Sequence, residues 1–269
     1  MSLLLIGGGK MGGAMLEGWI AQGTPAQDVT IVEPNQDTAD DFKQRLGVNA
    51  VAAPDQLPDD YAPEVVVVAV KPQIMDAVLP PYAKLTASGP VFLSIAAGKT
   101  IQSFTDILGA DACVVRAMPN TPASVGRGIT VGCPNANVSD AQAAQCKKLL
   151  SAVGDVEWVE DETLLDAVTA LSGSGPAYIF FLAEAMGHAG RMAGLAPEMA
   201  DRLARATVSG AGELLHQSPL PAATLRENVT SPGGTTAAAL EVLMGADGLK
   251  DLMTKAIAAA TQRSRDLAS

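Results

Sequence analysis

Apolar positions along the chain follow two different rhythms. Up to about residue 159, short apolar or β-branched runs at residues 3–6, 29–33, 65–70, 91–95, 113–117 and 129–132 alternate with longer mixed stretches. Continuous apolar runs of this length, separated by helix-sized segments, predict parallel strands covered on both faces. Residues 11–21, 38–46, 74–79 and 101–108 supply the crossover helices, the third weakened by Pro80 and Pro81 directly behind it. A fifth helix over 141–153 leads to an edge strand at 156–159. The alternation predicts a doubly wound α/β sheet.

Past Glu160 the β-branched runs give way to alanine, leucine and methionine. Leu164, Leu165, Val168 and Leu171 recur at helical spacing. The string Ser172-Gly173-Ser174-Gly175-Pro176 reads as a break, with proline in the first turn of a new helix. Ile179, Leu182, Ala183, Met186 and Ala193 stripe that helix, and Gly194 stops it. Further helices are expected from Pro197 to about His216, over 235–244 and over 249–267. The chain therefore divides into an α/β domain, residues 1–160, and an all-α domain, residues 161–269.

Composition narrows the class. With 269 residues, 48% hydrophobic and 17% charged, the chain has ample material for a core and too little charge for disorder. Lys plus Arg number 18 against 29 Asp plus Glu, a formal net charge of −11. That balance argues against nucleic acid and anionic membrane as partners. An anionic ligand must then be met by local devices such as helix N-termini. Three cysteines, Cys113, Cys133 and Cys146, cannot all pair, which points to a reducing cytoplasm. The longest clean apolar run, residues 65–70, is too short to span a bilayer, and the N-terminus lacks the basic residues of a signal peptide. A soluble, cytoplasmic protein is expected.

The first strand runs straight into Gly7-Gly8-Gly9-Lys10-Met11-Gly12, a G-x-G-x-x-G followed by a helix. The first glycine makes the turn, the second admits a pyrophosphate, and the third lets helix and strand pack closely. The helix start adds free N–H groups and the positive end of its dipole. This context predicts a Rossmann-type domain that binds a dinucleotide. Glu33 ends the second strand, where a carboxylate accepts hydrogen bonds from the adenosine ribose and repels a 2′-phosphate. The cofactor expectation is therefore NAD(P)H with a lean to NADH. Other strand ends on the same edge are Ala69-Val70-Lys71-Pro72, Ala96-Ala97-Gly98 and the stretch holding Asn120. Small residues there let backbone lie against a cofactor, Lys71 adds local positive charge, and Asn120 offers a hydrogen bond to an amide or ribose.

No His/Cys cluster has metal-ligand spacing, so no metal is expected. His188 and His216 lie in helical text, and Cys113 reads as a buried, inert strand residue. In the helical half, Asn228-Val229-Thr230-Ser231-Pro232-Gly233-Gly234-Thr235-Thr236 is polar, glycine-rich and feeds a helix. Its N–H groups and the hydroxyls of Ser231, Thr235 and Thr236 suit a carboxylate. Read alone, the segment also serves as a capping loop.

Several blocks together carry a resemblance: residues 6–12, 68–72, 94–98 and 115–122, then Leu171-Ser172-Gly173-Ser174-Gly175-Pro176-Ala177-Tyr178 and residues 229–236. Over essentially its whole length the chain resembles bacterial pyrroline-5-carboxylate reductases. The first block is common to many dehydrogenases, whereas the last three are specific. The resemblance implies hydride transfer from NAD(P)H to the imine of 1-pyrroline-5-carboxylate, giving L-proline. It implies a helical domain that interlaces with that of a second copy in a homo-oligomer of dimers. The substrate, an imino acid, would lie between the cofactor of one subunit and the Ser-Pro-Gly-Gly loop of the other. Carried over, Ser231, Gly234 and Thr235 hold the substrate carboxylate, Thr236 lies near the ring nitrogen as an assisting catalytic residue, and Asn228 supports the loop. No Asp, Glu or His stands among them as a general acid. The family often has a small or polar residue where this chain has Glu33. Two rival readings are a β-hydroxyacid dehydrogenase and a dinucleotide-sensing regulator. The first needs a catalytic lysine in the helical half, where Lys250 and Lys255 in the last helix are the only ones.

Overall fold

The apolar runs assemble as one eight-stranded sheet in the computed structural model, which describes residues 1–268. The strands are β1 (Leu3–Ile6), β2 (Val29–Val32), β3 (Asn49–Val51), β4 (Val65–Val68), β5 (Val91–Ser94), β6 (Cys113–Met118), β7 (Gly128–Pro134) and β8 (Gly154–Trp158). Their order is β3-β2-β1-β4-β5-β6-β7-β8, so the winding reverses between β1 and β4. Such a reversal opens a crevice at the carboxyl ends of the strands.

The expected all-parallel sheet is corrected at one edge. β1 to β6 pair in parallel, but β7 runs antiparallel to β6, and β8 is parallel to β7. The link from β6 to β7 holds only a 3-10 turn, Thr121–Val125, and a parallel return needs a dozen or more residues. β3 has no counterpart in the hydrophobic pattern. Its three partly exposed residues are recruited by main-chain pairing to β2. The second and fourth strands stop at Val32 and Val68, leaving Glu33, Ala69 and Val70 beyond the sheet on its ligand edge.

Alternation along the strands divides the core into two layers. Leu3, Leu5, Val65 and Val67 meet Met15, Leu16 and Trp19 of α1 (Lys10–Ala21) and Phe42 of α2 (Gln36–Leu46). Leu4, Ile6, Val66 and Val68 face Met75, Leu79, Tyr82, Phe104 and Leu108 on the opposite side. Each fully buried side chain of this size stabilises by about 1.5–3 kcal/mol. The expected helix at 74–79 shrinks to α3 (Met75–Val78) between 3-10 segments, because Pro80 and Pro81 offer no N–H to continue it. α4 (Ile101–Leu108) and α5 (Asp140–Leu150) complete the coverage, the latter opened by a reciprocal Ser139–Gln142 capping box.

The chain forms two compact units: residues 1–173 with the C-terminal segment from Thr261, and Ser174–Ala260. The division falls past residue 160 because α6 (Leu164–Val168) belongs to the sheet's unit. Its Leu165 is buried against Val131 and Cys133. The end of α11 (Leu249–Ala268) joins it, with the Ser264 hydroxyl donating to Asp166 at 2.7 Å.

The expected break at residues 172–176 narrows to a bend at Ser174, and the new helix with proline in its first turn starts at Gly175 as expected. A π turn, Thr169–Gly173, extends α6 as far as the bend, Ser174 is the N-cap of α7 (Gly175–Met192), and Pro176 sits in the first turn of α7 where its missing N–H is not needed. The hydroxyls of Thr169 and Ser172 donate to Leu165 and Val168 carbonyls at 2.7 and 3.0 Å. The resulting stretch, Leu164–Met192, is long and apolar enough by length and composition to cross a membrane, with 11% of its apolar window buried. A search for unbroken apolar runs passes over it, since glycines and serines interrupt the pattern.

In the second unit α7 packs against α8 (Pro197–Gln217). A Cβ on Gly187 would stand 2.6 Å from Asp201 Oδ1, and one on Gly190 would stand 3.2 Å from the Ala200 Cβ. Arg191 pairs with Asp201 across the same contact. α9 (Ala222–Asn228), not foreseen in the sequence, and α10 (Thr235–Leu243) follow.

Candidate active site

The glycine loop assigns a separate task to each glycine. Gly7 takes φ +95°, which favours glycine, and donates its N–H to Val32 at 3.0 Å. A Cβ on Gly12 would stand 2.4 Å from the Gly7 carbonyl oxygen and 3.0 Å from the Ala69 Cβ, so helix and strand touch there. A Cβ on Gly9 would meet nothing within 4 Å. Gly9 is the N-cap of α1, no side chain caps that helix, and its first turn holds no acidic residue. Lys10 is exposed and Met11 half-buried beside it. Unpartnered N–H groups, a dipole end and open space at one glycine fit the pyrophosphate of a dinucleotide.

Glu33 lies directly beside this loop. Its Oε2 accepts the Gly8 N–H at 2.7 Å and its Oε1 accepts the Asn35 N–H at 2.9 Å. A carboxylate has further lone pairs on both oxygens, so this seat leaves it able to accept hydroxyl hydrogens as well. Gly8 itself is walled in, since a Cβ there would stand 2.7 Å from the Phe42 ring.

The remaining expected residues of the sheet unit line the same edge. Ala69 donates its N–H to Ile6 at 2.9 Å, continuing the ladder for one step past β4. A Cβ on Gly7 would be 3.0 Å from the Ala69 oxygen and 3.1 Å from Val70, so the ends of β1 and β4 are in contact. Lys71 is exposed, and Pro72 starts a 3-10 turn. Past β5, Ala96 is buried, Ala97 is exposed and Gly98 turns with φ +76°. Asn120 is buried and braces the backbone. Its Oδ1 accepts the Ile129 N–H at 2.9 Å and its Nδ2 donates to the Ser172 carbonyl at 3.2 Å. Sequence reading passed over Arg116 and Glu162, which form an ion pair of 2.7 Å beside these strand ends. The signal for Arg116 was a charged residue inside an apolar strand.

In the second unit, the polar loop runs from the end of α9 to the start of α10. It is closed by Thr230, whose N–H donates to Glu227 at 2.9 Å and whose hydroxyl donates to Arg226 at 2.6 Å. The Asn228 side chain is exposed. Gly233 carries the left-handed turn at φ +69°, and Gly234 donates to the Ser231 carbonyl at 3.0 Å. Gly234 then caps α10 with φ −83° and no side-chain hydrogen bond. Ser231 and Thr235 are exposed, and Thr236 is half-buried. The start of α10 has no side-chain cap, and Ser231, Thr235 and Thr236 lie in the loop or first turn beside it; a helix start of this kind can accept a small carboxylate. Among the described residues, no group of three or more His, Cys, Asp or Glu could hold a metal ion.

Comparison with known proteins agrees with both units. A family described as pyrroline-5-carboxylate reductase dimerisation matches residues 162–267, and one described as NADP oxidoreductase coenzyme F420-dependent matches residues 2–98. A pyrroline-5-carboxylate reductase of Pseudomonas aeruginosa is 41% identical, over 99% of this chain and 96% of that one. Its counterpart in Synechocystis is 40% identical, over 99% and 98%. The solved pyrroline-5-carboxylate reductase of Coxiella burnetii superposes with a TM-score of 0.93 at 36% identity, covering 100% of this chain and 98% of that one. An NADP-bound pyrroline carboxylate reductase of Plasmodium falciparum gives 0.81 at 29%, with coverage of 100% and 98%. Both the glycine-loop half and the helical half are thus matched in single relatives along their full length, and the chain belongs to the pyrroline-5-carboxylate reductase family.

Proposed function

We propose that this protein reduces 1-pyrroline-5-carboxylate to L-proline. The observation that carries the reading is likeness to curated reductases over 99% of this chain, a span that holds both the glycine loop and the Ser231–Thr236 loop. Gly7, Gly9, Lys10, Met11 and Gly12 would hold the pyrophosphate of NAD(P)H, and Glu33 its adenosine ribose. Ala69, Val70, Lys71, Pro72, Ala96, Ala97, Gly98 and Asn120 would form the wall along the strand ends. The bound dinucleotide supplies the hydride that the imine carbon accepts. Ser231, Gly234 and Thr235 seat the substrate carboxylate, and the Thr236 hydroxyl meets the ring nitrogen, with Asn228 at the loop's base. No acid stands among these residues, so the nitrogen takes its proton from water. The protein's contribution is position.

The lean to NADH rests on Glu33. Its carboxylate is fixed against the glycine loop by two N–H groups, and a 2′-phosphate beside it would meet like charge. Assembly into interlaced dimers rests on the second unit's surface. Phe180 and Phe181 are 69% and 67% exposed, and Met192 and Val242 are both 77% exposed. Apolar exposure on this scale marks a covered face. The Leu164–Met192 helix also carries Glu184, His188 and Arg191, which favours a second copy over lipid as its cover. Three free cysteines suit the cytoplasm. The test is a spectrophotometric assay of pyrroline-5-carboxylate with NADH and with NADPH. Turnover producing proline is expected, with NADH the better donor; no turnover with either would defeat the reading.

A further inference from the structure

The loop from Ile95 to Thr100 is pinned at three points. At its start, the wholly buried Ser94 hydroxyl accepts the Ala96 N–H at 3.2 Å. In the middle, Lys99 binds both carboxylate oxygens of Asp76 at 2.8 and 2.9 Å, next to the left-handed Gly98. At its end, the first N–H of α4, from Ile101, donates to Glu162 Oε1 at 2.8 Å. The same oxygen accepts from Arg116 at 2.7 Å. Arg116 projects from β6, where it is paired with Ser94 of β5, and its side chain is 7% exposed.

A buried guanidinium is costly unless it is paired, and a carboxylate on the first N–H of a helix is favourable. Glu162 satisfies both demands with one oxygen. It therefore ties the helix behind the Ala96-Ala97-Gly98 turn to the strand beside it. Nothing in the pyrroline-5-carboxylate chemistry itself requires this pair.

We infer that Glu162, held by Arg116, is a positioning residue that fixes the Ile95–Thr100 loop against the reactive half of the dinucleotide. The inference rests on the cofactor lying along these strand ends, as proposed above. Glu162 touches neither substrate nor cofactor. It acts through Ile101, whose N–H it holds, and so through the backbone of residues 96–98. Shifting that backbone changes the wall of the cofactor site while leaving the Ser231–Thr236 loop alone.

Two variants separate positioning from mere support. Glu162→Asp keeps the charge near Arg116 but is one methylene too short to hold both partners. Arg116→Met with Glu162→Met removes both charges together, so no guanidinium is left unpaired. Four readouts are taken on the full-length protein: melting temperature, NADH Kd by fluorescence quenching, amide exchange of residues 96–101, and steady-state kinetics. Both variants should raise the NADH Kd at least threefold and speed exchange at Ile101 at least tenfold. Steady-state kinetics should show kcat lowered and the KM for pyrroline-5-carboxylate unchanged. Wild-type NADH Kd and wild-type exchange in Glu162→Asp, with or without a lower melting temperature, would overturn the inference, and that variant decides alone if the double substitution does not fold. A wild-type protein that binds NADH but fails to reduce pyrroline-5-carboxylate would instead defeat the functional reading, leaving the binding and exchange comparison to decide this one.

Discussion

At the scale of single residues, neighbouring glycines carry opposite consequences. Gly12 abuts the Gly7 oxygen, so Gly12→Ala forces helix and strand apart, costing about 1–3 kcal/mol of overpacking. Thermal unfolding should show it as a fall of roughly 2–4 °C per kcal/mol. Gly9→Ala meets open space and should unfold like wild type, yet weaken NADH binding if, as proposed, the pyrophosphate approaches there. Equal effects of the two substitutions on the melting temperature would count against that division. The cysteines are equally distinct. Cys113 begins β6 half-exposed, not buried as its apolar run suggested, and its thiol donates to the Asn137 carbonyl at 3.1 Å. Burial raises the Cys133 thiol, and pushes the Cys146 thiol up to about 12. Since burial disfavours the thiolate, iodoacetamide at about pH 8 should label Cys113 first and reach Cys146 only as fast as the fold opens. Early modification of Cys146 would contradict its placement.

Among the elements, the loop before α10 carries the sharpest expectation. Gly234 has an ordinary φ of −83°, so a side chain there brings no backbone strain; its Cβ would instead stand 3.1 Å from the Ser231 carbonyl. The strained position is Gly233, at φ +69°. Gly233→Val and Gly234→Val should both damage turnover, the first with a loss of local order as well. If the loop holds the substrate carboxylate as proposed, Ser231→Ala removes one hydroxyl among several N–H donors, and should raise the substrate KM by an amount worth about 0.5–1.5 kcal/mol. Thr236→Ala should lower kcat more than it weakens binding. In all four variants the affinity for NADH should remain that of wild type, measured by fluorescence. Wild-type kinetics throughout would reduce the loop to a helix cap.

For the molecule as a whole, the exposed apolar faces of the helical unit predict that a single chain is incomplete. Phe180, Phe181, Met192 and Val242 exposed together to water would promote association. If a second copy covers them, the melting temperature should rise with protein concentration by mass action. Sedimentation at assay concentrations should find activity only in the associated species. A fully active monomer would show that the Ser231–Thr236 loop serves the cofactor of its own chain.

Sequence alone determined whatever depends on short-range pattern. Continuous burial along the central strands, the glycine turn opening α1, the carboxylate at the end of β2 and the proline in the first turn of α7 are local consequences of side-chain size, φ preference and missing donors. The motif blocks also named the family before any geometry was known. Tertiary structure decided what depends on distant partners. β3 exists only because β2 offers it a ladder, and β7 turns antiparallel because its connection is too short to cross over. The glycine- and serine-rich string at 172–176 breaks the helix only at Ser174, because a π turn and side-chain hydroxyls absorb its first two residues. Asn120 and Glu33 were legible as polar groups at strand ends, but not the backbone groups that hold them, which arrive from Ser172, Ile129, Gly8 and Asn35. Arg116 and Glu162 stand far apart in the chain and meet at one oxygen. Periodicity has no term for such a meeting, because it is set by where the sheet and its helices close.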